Sequence, residues 1–299
     1  MSDLAISSLN ISKPYRAKQA EVNTCHPEEE AHFEGTTSAL DNVIGRSEPD
    51  SILAFGYTHR ETEGQPSAVE IFAWEVVPYL ASIGYTDLVL EVFPRDETGD
   101  VIEVEIEEFN ETGIVGVEMN RFLNLVDRPN FELLLRQAYA SGVNIHSGGL
   151  DRDNIFQTIW YPNFALYPER LEVARQEIAR NSGDRISSLA AAGQRVFSLN
   201  GTVHNDLYPS PRNETASFGG SINSLFPSRF VEIDMVIPEL SERHDYYTDL
   251  PLSDECSWRS FIPDAGVNLI SERGPNSYLI FWPIADRQYS RPELDVFEE

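Results

Sequence analysis

Four short apolar runs, separated by longer stretches with helical spacing, constrain this chain more than any other feature. They are ILAFG at 52–56, DLVLEV at 87–92, VNIH at 143–146 and RVFSLN at 195–200. Apolar runs of this length, rich in β-branched and aromatic residues, read as strands buried on both faces. Between the first two, residues 66–83 open on Pro66 and carry Ala68, Ile71, Phe72, Val76, Tyr79 and Leu80 at helical spacing; proline suits a helix start. A second helix is expected at 129–141, stopped by Gly142, and a third at 168–192, bent near Gly183. VEIDMVI at 231–237 and SYLIFW at 277–282 add further strands. Buried strands alternating with long helices imply an α/β fold, a mostly parallel central sheet flanked by helices, with additional strands and irregular segments.

The expected organisation is a polar, partly helical N-terminal segment over 1–48, then a single α/β domain over 49–299 with an acidic excursion near 95–111. Within that excursion VIEVEIEEF alternates with period two and reads as an exposed hairpin or an excursion from the core. HPEEEAH, from His26 to His32, reads as a short acidic helix, and GGSIN at 219–223 as a flexible loop.

Charge excludes some partners. The net charge is −27, and the only lysines are Lys13 and Lys18. So acidic a surface repels phosphate backbones and anionic headgroups, so no nucleic-acid partner is expected. No apolar run approaches the ~20 residues of a membrane span. Cys25 and Cys256 lie far apart, neither in a CxxC pair, which excludes a disulfide framework and makes the cytoplasm the expected location. Phosphate-cradling glycine loops and the GxSxG nucleophile elbow are absent, which disfavours nucleotide chemistry and a serine hydrolase.

In parallel sheets ligands bind beyond the carboxyl ends of the strands. The residues found there are His59 after ILAFG, Glu91 at the end of LVLEV, His146 and Asp151 after VNI, and His204 after VFSLN. The strand rule predicts that all of them point into one crevice. Imidazole and carboxylate are ligands for zinc and similar ions, and they are also general acids and bases. Glu91 is the strongest signal, because a carboxylate in a buried strand is costly unless paired. Its alternative is a structural ion pair with Arg180 or Arg95. His59, His146 and His204 have the alternative of plain turn or strand-end roles. Asp151 can instead cap a helix, and Arg180 and Asn181 can be a solvated helix face.

The ordered set then resembles a known superfamily. It comprises Gly56-Tyr57-Thr58-His59, a strand with embedded Glu91, GVNIHSGGLD with Asp151, Arg180-Asn181 on a helix, and Gly201-Thr202-Val203-His204. This order is similar to that of the group joining erythromycin esterases, the ChaN haem-binding proteins and the TIKI/TraB metalloproteases, over roughly 38–240. The resemblance implies a pocket in which His59, Glu91 and His204 carry hydrolysis or hold a metal. Arg180 would position a polar group and Asp151 would support the pocket. The esterase and ChaN branches usually carry Glu where this chain has Tyr57, which brings the site nearer the TIKI/TraB style. Tyr57 can instead donate to an oxyanion or offer a phenolate to haem iron.

The expected function is a hydrolase-like enzyme. Its catalytic residues are His59, Glu91, His204 and Arg180; Tyr57, Asp151, His146 and Asn181 contact substrate; and His59, Glu91 and His204 are the ligands of any divalent zinc or manganese. The substrate is a small molecule or peptide bearing an ester, lactone or amide, or the same pocket serves a biosynthetic elimination or cyclisation. The alternative is a haem- or small-ligand-binding protein of the ChaN type without catalysis. The oligomeric state is not legible.

Overall fold

The computed structural model describes residues 30–57, 67–95, 101–124, 126, 128–151, 168–238, 261–271 and 274–283. The described residues form one eight-stranded sheet. Its strands are β1 (Glu30–Phe33), β2 (Ile52–Tyr57), β3 (Asp87–Leu90), β4 (Asn144–Ser147), β5 (Val196–Gly201), β6 (Phe230–Val236), β7 (Val267–Ser271) and β8 (Ser277–Phe281). The order is β1-β7-β8-β6-β2-β5-β3-β4. The strands from β8 to β4 all run parallel, while β7 is antiparallel to both its neighbours. This is the α/β fold expected from the sequence, with ILAFG, RVFSLN and DLVLEV on adjacent interior strands and VNIH on the edge strand β4.

The helices divide between the two faces. On one lie α1 (Thr36–Arg46), α2 (Ala68–Ile71) running through a π-helical segment Phe72–Val76 into α3 (Val77–Ser82), α4 (Val101–Thr112), α5 (Val117–Leu123) and α6 (Arg128–Ala140). Their apolar stripes meet Leu53, Phe55, Leu88, Leu90, Phe197 and Leu199 in the larger core. Phe55 and Phe72 pack edge-on there, 5.1 Å between centroids, and burying such a ring contributes about 2–3 kcal/mol. The other face carries the second half of α7 (Pro168–Ala191) and α8 (Gly219–Leu225), with Ile186, Ala190, Phe218 and Ile222 on Ile52, Ala54, Val89, Val196 and Phe230. Ser67 caps α2, its hydroxyl accepting the Glu70 N–H at 3.0 Å, a common device for the orphan donors of a first turn.

Four local readings differ from expectation. Residues 101–112 are a helix, because Ile102, Ile106 and Phe109 recur at helical spacing and are buried while Val101 and Val104 face outward; the period-two reading of this segment fails. Glu30–Phe33 of the HPEEEAH segment is edge strand β1, paired to β7; residues 26–29 lie outside the described residues. Helix α7 runs unbroken through Gly183. A Cβ there would approach Phe218 Cβ to 2.9 Å, so the glycine serves close helix packing. GGSIN opens α8 and is not a loop.

Candidate active site

The sheet's connectivity places a topological switch point between β2 and β5. These strands are neighbours, in register from Leu53↔Phe197 to Tyr57↔Gly201. The chain leaves β2 toward the helices of the larger core and leaves β5 toward α8 on the opposite face. Adjacent parallel strands whose connections depart on opposite faces open a cleft at their carboxyl ends, where ligands of α/β proteins bind.

Glu91 is the residue immediately after β3, and Gly201 is the last of β5. The Glu91 carboxylate accepts the Gly201 N–H at 2.9 Å and lies 3.9 Å from His204 Nε2. Both side chains are more than nine-tenths buried. His204 Nδ1 is 2.9 Å from the Ala216 carbonyl; since a carbonyl only accepts, Nδ1 carries the proton and Nε2 is the nitrogen turned toward Glu91. The strand-end rule thus brings Glu91 and His204 together. His59, two residues past the end of β2, lies outside the described residues.

The turn holding Glu91 is braced from α7. Gly148 and Gly149 cross it so closely that a Cβ on Gly149 would stand 2.2 Å from the Glu91 carbonyl oxygen. Asn181 Nδ2 donates to the Gly149 carbonyl at 2.8 Å and lies 3.2 Å from Asp151 Oδ1, while Ser182 donates to the Gly148 carbonyl at 2.7 Å. Asn181 and Asp151 therefore support the strand ends. Arg180 lies on the outer side of α7, its side chain 56% exposed, 3.6 Å from both Asp151 and Glu177. Tyr57 is buried in the larger core, at the strand end but on the face away from Asp234.

His146 departs from the common crevice. Its Nε2 is 2.7 Å from Oδ1 of Asp87, the buried first residue of β3, so the ring leans back toward the amino end of the sheet. A buried carboxylate needs such a partner. Burial pushes the Asp87 carboxyl up, but hydrogen bonds from His146 and Thr86 outweigh it and hold the group below its ordinary value. The stabilisation is complete above the unfolded value of about 3.9 and is lost as pH falls through the lower, folded value. Asp87→Asn is expected to be less stable than wild type at pH 6, with the deficit shrinking on acidification below pH ~4. Urea unfolding at several pH values checks this; a deficit that stays constant across the range overturns it.

Sequence reasoning missed a polar layer on the α7–α8 face. Glu232 and Asp234 of β6 are 0% and 3% exposed, and Asn200 and Asn205 are both 0% exposed. Asn205 Nδ2 donates to Ala54 O at 3.1 Å and Asp234 Oδ1 at 3.0 Å. A Cβ on Gly56 would stand 2.0 Å from that Asp234 oxygen. The signal was available in VEIDMVI, where carboxylates interrupt an apolar run as Glu91 does in LVLEV. Among the described residues no group of three His, Cys, Asp or Glu is placed to hold a metal ion, and no described helix is long and apolar enough to cross a membrane.

No family model and no curated protein sequence matches the chain. Solved structures do. ChaN of Campylobacter jejuni, described with cofacially bound haem, aligns over 81% of this chain and 89% of its own, with a TM-score of 0.47 and 13% identity. The chain is structurally similar to ChaN over most of its length. A Bacillus cereus protein aligns over 70% of this chain and 72% of its own, at TM-score 0.43 and 13% identity. RRSP, a MARTX toxin effector domain from Vibrio vulnificus, aligns over 61% of this chain at TM-score 0.40 and 16% identity, and the match spans 37% of the RRSP chain. These are partial likenesses of structure, at 13–16% identity and TM-scores of 0.40–0.47.

Proposed function

We propose that the chain is a hydrolase-like enzyme acting on an ester, lactone or amide of a small molecule or peptide. The observation that carries this reading is the buried Glu91–His204 pair at the carboxyl ends of β3 and β5, 3.9 Å apart, with the histidine tautomer set by Ala216. A carboxylate beside an imidazole of fixed tautomer is the arrangement that moves protons to and from a water or a leaving group. His204 Nε2 takes the proton of the attacking water, and Glu91 stabilises the imidazolium that forms. His59, two residues past β2 in the sequence, is the second histidine of this reading. Arg180, partly exposed, anchors a substrate carboxylate.

Two imidazoles and one carboxylate fit zinc or manganese by donor type, so His59, Glu91 and His204 would hold such an ion. When bound, it would supply a water of lowered pKa and a Lewis acid. Because Nδ1 of His204 is committed to the Ala216 carbonyl, Nε2 would either hold the ion or take the proton, so its role as base belongs to the metal-free site.

The test is elemental analysis of the full chain after equilibration with zinc or manganese, run beside His59→Ala and His204→Ala, with a hydrolysis screen over esters, lactones and peptides. Hydrolysis of one class, lost on His204→Ala, is the expected result, and a bound metal lost in both variants assigns the ligands. Stoichiometric iron with a Soret band and no hydrolysis overturns the proposal in favour of a haem carrier.

A further inference from the structure

The residues around His204 suggest why β6 carries two buried carboxylates. Glu232 and Asp234 stand two apart on one face of that strand, where a carboxylate costs several kcal/mol unless it is well bonded. Both hold one short segment. Glu232 Oε2 accepts the Leu207 N–H at 2.9 Å. Asp234 Oδ1 accepts from Asn205 Nδ2 at 3.0 Å, and the same amide donates to Ala54 O of β2 at 3.1 Å. His204 lies directly before Asn205. Its own N–H donates to the Gly201 carbonyl at 2.8 Å, and its carbonyl accepts the Phe218 N–H at 2.9 Å.

The two carboxylates divide the work. Glu232 grips backbone three residues past the histidine, which fixes the path of the chain. Asp234 grips the side chain adjacent to the histidine, directly over Gly56, where no Cβ intervenes. The start of α8 closes the segment from outside: a Cβ on Gly219 would meet Asp206 O at 2.4 Å and Asn205 O at 2.7 Å. We infer that Asp234, acting through Asn205, is the positioning residue for the His204 imidazole. This rests on the reading of His204 as the functional histidine. It also assigns a purpose to a carboxylate on a strand distant in sequence from every other site residue.

The experiment follows the ring resonances of His204 in the full-length protein with labelled histidine, at fixed pH, with His204→Ala and His146→Ala supplying the assignments. Asp234→Ala is expected to shift the His204 ring signals by more than their linewidth while leaving those of His146, bonded to Asp87 at the other end of the sheet, in place. Asp234→Asn keeps an oxygen that accepts from Asn205, so it is expected to restore the wild-type His204 signals. Should Asp234→Ala fail to fold, Asn205→Ala removes the donor from the same contact and is expected to give the same selective shift. A lowered melting temperature with unmoved His204 signals overturns the inference and leaves a purely structural clamp. So does an equal disturbance of His146. Because the readout is independent of turnover, a selective His204 shift in a protein that hydrolyses nothing sinks the enzymatic reading and leaves the positioning intact.

Discussion

Gly56→Ala is expected to destabilise the protein by about 3 kcal/mol or more, the top of the range for overpacking a core, and to lower its melting temperature by about 5 °C. The single methyl would stand 2.0 Å from Asp234 Oδ1 and 2.8 Å from Asn205 Oδ1. No real contact is that short, so the carboxylate or the strand must move. Asp234 has little room: it is 3% exposed, and the amide it holds is anchored to β2 through Ala54. Swinging it aside breaks a buried hydrogen bond to a charged group, itself worth about 1.5–3 kcal/mol. The cause can be isolated with a double-mutant cycle. In Gly56→Ala/Asp234→Ala the shortest contact is gone and only the Asn205 amide still has to give, so the two losses should sum to more than the loss in the pair. Thermal unfolding of the four proteins checks this. A Gly56→Ala protein melting within ~2 °C of wild type, or two losses that simply add, rejects the account.

That position shows which parts of the molecule could be read from the sequence and which could not. The central strands were legible because they are covered on both faces, so their residues are apolar without alternation, and their ends are marked by Gly56, Gly201 and Glu91. The pairing of Glu91 with His204 followed from the strand-end rule alone. The reason for Gly56 was hidden, because the groups that forbid a side chain arrive from Asn205 and Asp234, far along the chain. His146 misled for the same reason: its partner Asp87 is 59 residues away and draws the ring to the other end of the sheet. In α4 the sequence VIEVEIEEF satisfies two periods at once; only the packing of Ile102, Ile106 and Phe109 against the core decides for the helix. Asp234 and Glu232 carried the same signal as Glu91, a carboxylate in an apolar strand, and deserved the same reading.

Glu91 itself offers the sharpest separation of stability from chemistry. Its carboxylate has two visible tasks: accepting the Gly201 N–H at 2.9 Å and facing His204 Nε2 across 3.9 Å. Glu91→Gln retains an oxygen that can accept from Gly201 but removes the charge facing the imidazole. It is expected to fold with a stability within about 1 kcal/mol of wild type, the scale of a single neutral hydrogen bond. Hydrolysis should nonetheless fall by about 100-fold or more, the lower end of what a positioned acid–base group contributes. Glu91→Ala removes both tasks, leaving a backbone N–H at the end of β5 without this acceptor. It should therefore add a loss of about 1–3 kcal/mol to the same catalytic defect. Urea unfolding beside turnover on the substrate class found by the hydrolysis screen distinguishes the two. If Gln and Ala lose stability together while turnover survives in both, Glu91 is a structural brace for β5, and the proton chemistry must then rest on His204 with the histidine that follows β2.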